Sequence, residues 1–440
     1  MARNRAVLAL LQLRRGQPKT LARRRDMFHP RAPIGSASII AAMISMALLT
    51  TGCGRERLTA SKIADFIDSN RPSDEQAPQD APPNQGNNET SVNVEAPKLP
   101  LSTGGIPTLP AILYEYANVQ LPSHFRGPGP GGSVIQTDNT PANNPMTNTD
   151  ATLGRVLFYD TRLSANNTVS CASCHQQSHG FGDPRPLSEG FQGALTGRHS
   201  MGLTNAQFYD RGRFFWDERA GSLEEQVLMP IQDPVEMGMS VPDLREKLST
   251  TPFYASLFDD AFGSAEVTDE SVSRALAQFV RSLVSFESKF ARAFTNGDRP
   301  NVSAALTPQE DRGRRIFDRN CANCHETNAQ VGDRPRNNGL DATITDSGAG
   351  RGQFKTPSPR NVAVRATYMH DGRFATLREV VQFYNNEIQA NPELDNRLEN
   401  DGLPRRLNLN GAEIDALIAF LNTLTDGAFL TDVRFSDPFE

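Results

Sequence analysis

Apolar residues recur at helical spacing in two segments of the chain, each bounded by polar residues. The residues that share one face in these segments are Val272, Leu276, Phe279, Val280 and Leu283, and Ile414, Leu417, Ile418 and Leu421. A three-to-four residue period indicates an amphipathic helix with one buried side. The alternation typical of strands is sparse, so the pattern predicts a mainly helical fold.

Polar residues mark where two helices begin. Thr307 is followed by Pro308 and, three positions on, by Glu310, and Asn410 is followed by Glu413 at the same spacing. These are the residue types that cap the first turn of a helix. The helix after Thr307 contains GRRIF, which resembles an earlier GRVLF at residues 154–158, so the folded part carries a weak internal repeat.

An apolar segment at residues 34–49 follows Arg31 and the arginine run at residues 23–25. A membrane span needs about 20 apolar residues, so this segment fits the apolar core of an export signal better. It ends in LLTTGC, which is similar to a lipoprotein processing site with Cys53 as the lipidated residue, although Thr50 replaces the usual leucine. Residues 1–53 are therefore predicted to be a signal peptide, with lipidation, simple cleavage or an uncleaved anchor left open.

Residues 54–107 are rich in Pro, Asn, Gln, Asp and Glu and poor in large apolar residues. Such a segment cannot bury enough surface to offset its chain entropy, which predicts a disordered linker. The formal net charge of −6 and the absence of a basic stripe argue against nucleic-acid binding.

Four of the five cysteines lie in two CxxCH motifs, CASCH at residues 171–175 and CANCH at residues 321–325. A histidine directly after the second cysteine is typical of c-type haem attachment, in which two thioethers hold the haem and the imidazole binds the iron. A shared zinc site would leave both histidines without a role. The motifs predict covalent haem at Cys171 and Cys174 and at Cys321 and Cys324.

Two haem motifs and the repeat together predict two mainly α cytochrome c-like domains packed against each other. We place the first at residues 108–300 and the second at residues 301–440. Because covalent haem attachment normally takes place outside the bacterial cytoplasm, we expect the protein in the periplasm or cell envelope, with a lipid anchor at Cys53 left open.

The sequence resembles the bacterial di-haem cytochrome c peroxidase and MauG family over about residues 145–425. The motifs that carry the resemblance, in chain order, are LGRVLFYDTRLSANNTVSCASCH, FFWDER, LEEQVLMPIQDPVEM, FKTPSPRN and YMHDGRFATLREVVQFY. The resemblance implies that the first haem meets hydrogen peroxide and the second handles electrons. It makes His175 the proximal iron ligand of the first haem and His325 that of the second.

The resemblance also implies an open first haem. Inactive resting members block its sixth position with a histidine sixteen residues after the proximal one, and this chain has Phe191 there. His179 and His199 are the nearby alternatives. His199 also stands where the family often has an Asn that supports a calcium ion, so a calcium site is left open.

Three further residues match the family's catalytic positions. Glu236 corresponds to the distal glutamate that moves a proton during cleavage of the peroxide bond, Gln226 to the distal glutamine, and Trp216 to the tryptophan between the haems. Without the resemblance, Glu236 would be one of 51 acidic residues and Trp216 a core anchor.

The sixth ligand of the second haem separates the branches of the family. Fourteen residues after the histidine of HDG, peroxidases carry a methionine and MauG a tyrosine, and this chain has Tyr384 there. A phenolate favours higher oxidation states of iron than a thioether does. Met369 is the alternative ligand.

Three functions follow as hypotheses. The first is an enzyme that reduces hydrogen peroxide to water with electrons from a small periplasmic redox protein. The second is a MauG-like oxidase that uses peroxide to oxidise residues of a partner protein. The third is a di-haem electron carrier without catalysis, which Glu236, Gln226 and Phe191 argue against.

Overall fold

The computed structural model describes residues 105–127, 132–294 and 302–439. The predicted signal segment, Cys53 and nearly all of the predicted linker lie outside these ranges. The helices are α1 Ser123–Arg126, α2 Asn148–Tyr159, α3 Cys171–Cys174, α4 Leu223–Gln226, α5 Met229–Gln232, α6 Val241–Ser249, α7 Pro252–Phe262, α8 Asp269–Ser282, α9 Lys289–Arg292, α10 Val302–Ala305, α11 Pro308–Asn320, α12 Leu377–Gln382, α13 Gly411–Asn422 and α14 Gly427–Leu430.

Extended structure is slight in the described residues. The strands β1 Glu399–Asn400 and β2 Leu403–Pro404 form one antiparallel pair, with Glu399 opposite Pro404. The prediction of a mainly helical fold is confirmed. In the described part of the chain, no helix has the length and apolar character that crossing a membrane requires.

The two predicted helix starts are confirmed. The side chain of Thr307 accepts a hydrogen bond from the backbone N–H of Glu310, and that of Asn410 accepts one from the backbone N–H of Glu413. Each glutamate side chain in turn accepts a hydrogen bond from the backbone N–H of its cap residue. The cap satisfies backbone N–H groups that a first helical turn leaves without partners.

The internal repeat corresponds to two pairs of crossing helices. In the first pair α2 packs on α8, and Gly154 lies against the backbone of Ala275; in the second α11 packs on α13, and Gly313 lies against the backbone of Ala416. A Cβ atom at either glycine would collide with a carbonyl oxygen of the partner helix. The two glycines therefore allow the close crossing that brings each helix pair beside its CxxCH loop.

Each helix pair has its own apolar core. The core around α2 and α8 contains Phe158, Leu276 and Phe279, and the core around α11 and α13 contains Phe317 and Phe420. The first core also includes Phe429 and Phe435, which follow α13 in the chain. The segment after α13 thus returns to the first half of the molecule, while the domain boundary near residue 300 stays a prediction.

Candidate active site

The first CxxCH motif places its histidine at the end of α3. The backbone N–H of His175 donates to the carbonyl of Cys171 at 3.0 Å, and Nδ1 of the ring lies 3.0 Å from the carbonyl oxygen of Phe181. Because a carbonyl only accepts, Nδ1 carries the proton and Nε2 keeps its lone pair. This is how a histidine is oriented to bind a metal.

The second motif repeats this arrangement. The backbone N–H of His325 donates to Cys321 at 3.0 Å, and its Nδ1 lies 3.1 Å from the carbonyl oxygen of Pro357. Both imidazoles are therefore held by a backbone carbonyl from outside their own motif.

Two cavities adjoin these histidines. His175 lines one of about 430 Å³, and Cys321, Cys324 and His325 line another of about 230 Å³. Arg336 and Arg365 line the second cavity, and the Nε atom of each is buried without a hydrogen-bond partner. A haem fits this donor set, because its propionate carboxylates would supply acceptors for these two Nε–H groups.

The larger cavity brings together the residues predicted to carry catalysis. Trp216, Gln226 and Glu236 line it together with His175. Burial raises the pKa of the Glu236 carboxyl to about 7; neighbouring Asp233 adds to the shift and Arg219 partly opposes it. Glu236 is therefore able both to accept and to return a proton near neutral pH.

Phe191 lies outside both cavities. Its backbone N–H donates to the carbonyl of Glu236 at 2.9 Å, and its ring packs on Gly238. His179 also lines neither cavity, and its ring contacts the hydroxyl of Ser178 at 3.1 Å. Neither of these positions contributes an imidazole to the surface of the larger cavity.

His199 lines both cavities, but its ring is turned to the backbone. Nδ1 lies 3.1 Å from the carbonyl oxygens of Arg185 and Pro186, and the hydroxyl of Thr367 lies 3.2 Å from the same nitrogen. These contacts make His199 a hydrogen-bonding residue between the two halves of the molecule.

Trp216 lies between the two cavities and lines both. Its indole N–H donates to the carbonyl of His199 at 2.7 Å, and its own carbonyl accepts from the backbone N–H of Lys355 at 2.7 Å. The ring centroid is 6.5 Å from that of His370. The indole is thus held by the first half and the backbone carbonyl of the same residue by the second, while its role between the haems stays a prediction.

Tyr384 lines the smaller cavity from a π-helical turn, Phe383–Glu387. Its hydroxyl oxygen lies 3.2 Å from Nδ2 of Asn338, and burial raises the pKa of the phenol to about 12. The sulfur of Met369 lies 3.7 Å from the same amide nitrogen. Both candidate ligands therefore adjoin one cavity, and the assignment to Tyr384 stays a prediction.

Comparison with known proteins gives the family. The profile described as di-haem cytochrome c peroxidase matches residues 148–299, and the cytochrome c profile matches residues 310–425. The methylamine utilization protein MauG of Methylorubrum extorquens is 37% identical over 297 residues, which are 64% of this chain and 80% of that protein. The chain belongs to the di-haem cytochrome c peroxidase and MauG family.

Other relatives agree with this membership. Cytochrome c551 peroxidase of Nitrosomonas europaea is 34% identical over 307 residues, 65% of this chain and 81% of the relative. A solved MauG-like protein associated with microbial copper homeostasis is 30% identical, with a TM-score of 0.60 over 73% of this chain and 99% of the other. This family member is an oxidoreductase of the peroxidase type with two c-type haems.

Several residues of the site carried no individual signal in the sequence. Arg336, Arg365 and Asn338 line the smaller cavity, and Phe354 stacks on His370 with ring centroids 3.6 Å apart. The contacts of Asn338 with Met369 and Tyr384 join distant parts of the chain, and an arginine in a loop has no spacing that distinguishes it from a surface residue.

Proposed function

We propose that the protein reduces hydrogen peroxide to water in the larger cavity, with electrons from a small periplasmic redox protein. The observation that supports this most directly is Glu236, a carboxyl with a pKa of about 7 in the cavity that His175 faces. A carboxyl with a pKa near the working pH is suited to general acid–base catalysis. A plain electron carrier would have no use for it.

The residues of the chain have separate roles in this reaction. Glu236 takes a proton from one peroxide oxygen and returns it to the other as the bond between them breaks, while Gln226 orients the substrate. When bound, the haem beside His175 supplies the site of reduction, and Trp216 passes electrons from the His325 side. One peroxide, two electrons and two protons give two molecules of water.

A second function is supported by Tyr384, one of the two candidate iron ligands in the smaller cavity. If its phenolate binds the second iron, that haem resists reduction and holds oxidising equivalents more stably. The enzyme would then use peroxide to oxidise residues of a partner protein, as proposed above for a MauG-like oxidase.

The wider setting is part of the proposal. A signal peptide at residues 1–53 directs the chain to the cell envelope, with Cys53 as a lipid anchor and residues 54–107 as linker. The domains are residues 108–300 and 301–440. We propose no calcium ion at this position. Carbonyl oxygens are the kind of ligand that calcium requires, and those of Arg185 and Pro186 face Nδ1 of His199 instead.

The test is peroxide turnover with several reduced donors, together with optical and paramagnetic resonance spectra of the ferric protein. We expect one high-spin and one low-spin haem at rest and a reaction with peroxide without prior reduction. Turnover with a reduced cytochrome or copper protein supports the peroxidase. A long-lived oxidised state and poor turnover with such donors supports the oxidase. Two low-spin haems that do not react with peroxide would contradict both.

A further inference from the structure

A buried tyrosine and glutamate form a pair beside the larger cavity that none of the roles above uses. Tyr209 is fully buried, lines this cavity, and donates a hydrogen bond from its hydroxyl to the carboxylate of Glu218. Glu218 is itself 4% exposed and lies two residues after Trp216. The pair therefore belongs to the segment that carries the residue between the haems.

Glu218 adopts a backbone conformation that favours glycine. Its φ angle is +53°, in the left-handed region where a side chain is strained. The contacts that hold it there are those of its carboxylate with Tyr209 and with Nε of Arg211 at 3.0 Å, and of its carbonyl with Nε of Arg213 at 3.1 Å. Strain of this kind is kept where the position of a side chain matters to a site.

The surroundings of Tyr209 favour a neutral phenol with a proton acceptor beside it. Burial, with the hydrogen bond to Glu218, raises the pKa of the Tyr209 hydroxyl far above its usual range. Nζ of Lys355 lies 3.4 Å from the centroid of the ring and donates to the carbonyl of Arg213 at 2.9 Å. Burial lowers the pKa of this amine well below its usual range, and nearby Glu218 partly opposes the shift.

We propose that Tyr209 and Glu218 form a second oxidisable site, in addition to Trp216, in the peroxide-treated enzyme. Tyr209 loses one electron to the peroxide-oxidised cofactor of the larger cavity, and its hydroxyl proton moves to the Glu218 carboxylate. The products are a neutral tyrosyl radical and a neutral carboxylic acid, while the cofactor is reduced by one electron. The inference rests on the proposed function, because hydrogen peroxide supplies the oxidant.

The proton stays within the pair. Arg211 binds the carboxylate of Glu218 with Nε at 3.0 Å, and because a guanidinium group is not deprotonated in proteins, it positions the carboxyl group without carrying its proton away. When no donor protein is bound, an oxidising equivalent can leave the cofactor and rest on Tyr209 instead of attacking the cavity wall. Later reduction of the radical takes one electron and returns the proton from Glu218.

The chain contains a matched pair elsewhere. The hydroxyl of Tyr254 donates to Asp160 at 2.6 Å, and both residues are buried. Tyr254 lines neither of the two cavities. Tyr254 has the same phenol–carboxylate hydrogen bond as Tyr209 but does not line the larger cavity, and is therefore the control.

The experiment adds one equivalent of hydrogen peroxide to the ferric holoprotein and freezes samples rapidly for electron paramagnetic resonance. We expect a tyrosyl signal that narrows when the protein is made with ring-deuterated tyrosine. Tyr209→Phe should abolish this signal, and Glu218→Gln should lower its yield by about tenfold or more, because a positioned proton acceptor is lost. Tyr254→Phe should leave it unchanged.

The outcomes separate this inference from the proposed function. An optical change on addition of peroxide shows that the haem site reacts, whether or not a tyrosyl radical forms. If the optical change occurs but the unmodified protein gives no tyrosyl signal, the inference is overturned while the proposed function stands. The same holds if Tyr209→Phe gives an unaltered signal. Because ring deuteration changes no contact, this arm does not depend on how any variant folds.

Discussion

Glu236 lies in a buried environment that raises the pKa of its carboxyl group above that of a glutamate in water. A carboxyl with a pKa of about 7 is half-protonated at neutral pH, whereas an exposed glutamate is almost fully charged. The cause is burial in the wall of the larger cavity, so the shift and the catalytic position have the same origin. Burial thus supports the proton-transfer role that the family resemblance predicts for this acid.

Glu236→Gln should lower kcat/KM for peroxide by about 10²- to 10⁴-fold, the usual effect of a positioned acid–base group. Glu236 accepts a proton only in its charged form, so the rate of the unmodified enzyme should fall as pH decreases below about 7, the pKa of this group. The variant should lack this dependence. Stopped-flow measurement of the peroxide reaction from pH 5 to 9 provides the check.

The control is Glu246→Gln, which removes an exposed carboxylate on α6. We expect its rate and pH profile to match those of the unmodified enzyme. Equal rates in the Glu236 and Glu246 variants would remove Glu236 from the mechanism.

Tyr384 and Met369 are the two candidates for the sixth iron ligand of the second haem. If the Tyr384 phenolate is the ligand, Tyr384→Met should raise the reduction potential of that haem and keep it low-spin, because a thioether favours ferrous iron. The same change should shorten the life of the oxidised state that forms with peroxide. Spectroelectrochemical titration measures the first effect and stopped-flow optical spectra the second.

Met369→Leu is the matched variant, because Met369 contacts the same amide of Asn338. It should leave the low-spin spectrum intact. Loss of that spectrum in Met369→Leu, with Tyr384→Phe unaffected, would assign the sixth ligand to Met369 and favour the peroxidase over the oxidase.

The two helix pairs depend on glycine at their crossing points. Gly313→Ala should destabilise the protein by about 2 kcal/mol or more, because the added methyl group meets the backbone carbonyl of Ala416 and the helices must separate. Thermal unfolding followed through the absorbance of the haem measures the effect.

Gly411→Ala is the corresponding control. It lies at the first position of α13, and a Cβ atom there would meet nothing within 4 Å. We expect a change within about 1 kcal/mol, set by helix propensity alone. Similar losses in both variants would show that the crossing does not require glycine.

Local features of these elements could be predicted, and contacts between distant elements could not. The capping residues Thr307 and Asn410 act within one helical turn, so the sequence contains the whole interaction. The contact of Tyr209 with Glu218 requires a left-handed residue that no sequence pattern signals. Glu236 is intermediate, since its motif predicted the role and only the fold supplies the burial that shifts its pKa.

On the scale of the whole molecule, the two halves are joined by polar contacts at His199 and its neighbour. The backbone N–H of His199 donates to the carbonyl of His370 at 2.8 Å, and Arg198 pairs with Asp217 at 2.7 Å and with Asp346 at 2.8 Å. Of these contacts, those of His199 with His370 and of Arg198 with Asp346 connect the first half to the second. Exposure of Arg198 to solvent is modest, at 23%, which limits screening by salt.

A calcium chelator should therefore leave the melting temperature and the haem spectra of the protein unchanged. The carbonyl oxygens of Arg185 and Pro186, which are ligands of the kind that calcium binds, already lie 3.1 Å from Nδ1 of His199. Calorimetry before and after chelation, and again after calcium is restored, checks this. A stabilisation that returns with calcium and not with magnesium would show that the ion binds here.

The segment after α13 has a consequence for how the protein is made. Phe435 lies in the first core, and its carbonyl accepts a hydrogen bond from the hydroxyl of Tyr159 at 2.6 Å. A ribosome adds Phe435 long after it has made α2 and α8, so the first half emerges without part of its interior. The first core is therefore complete only once the last residues of the chain have joined it.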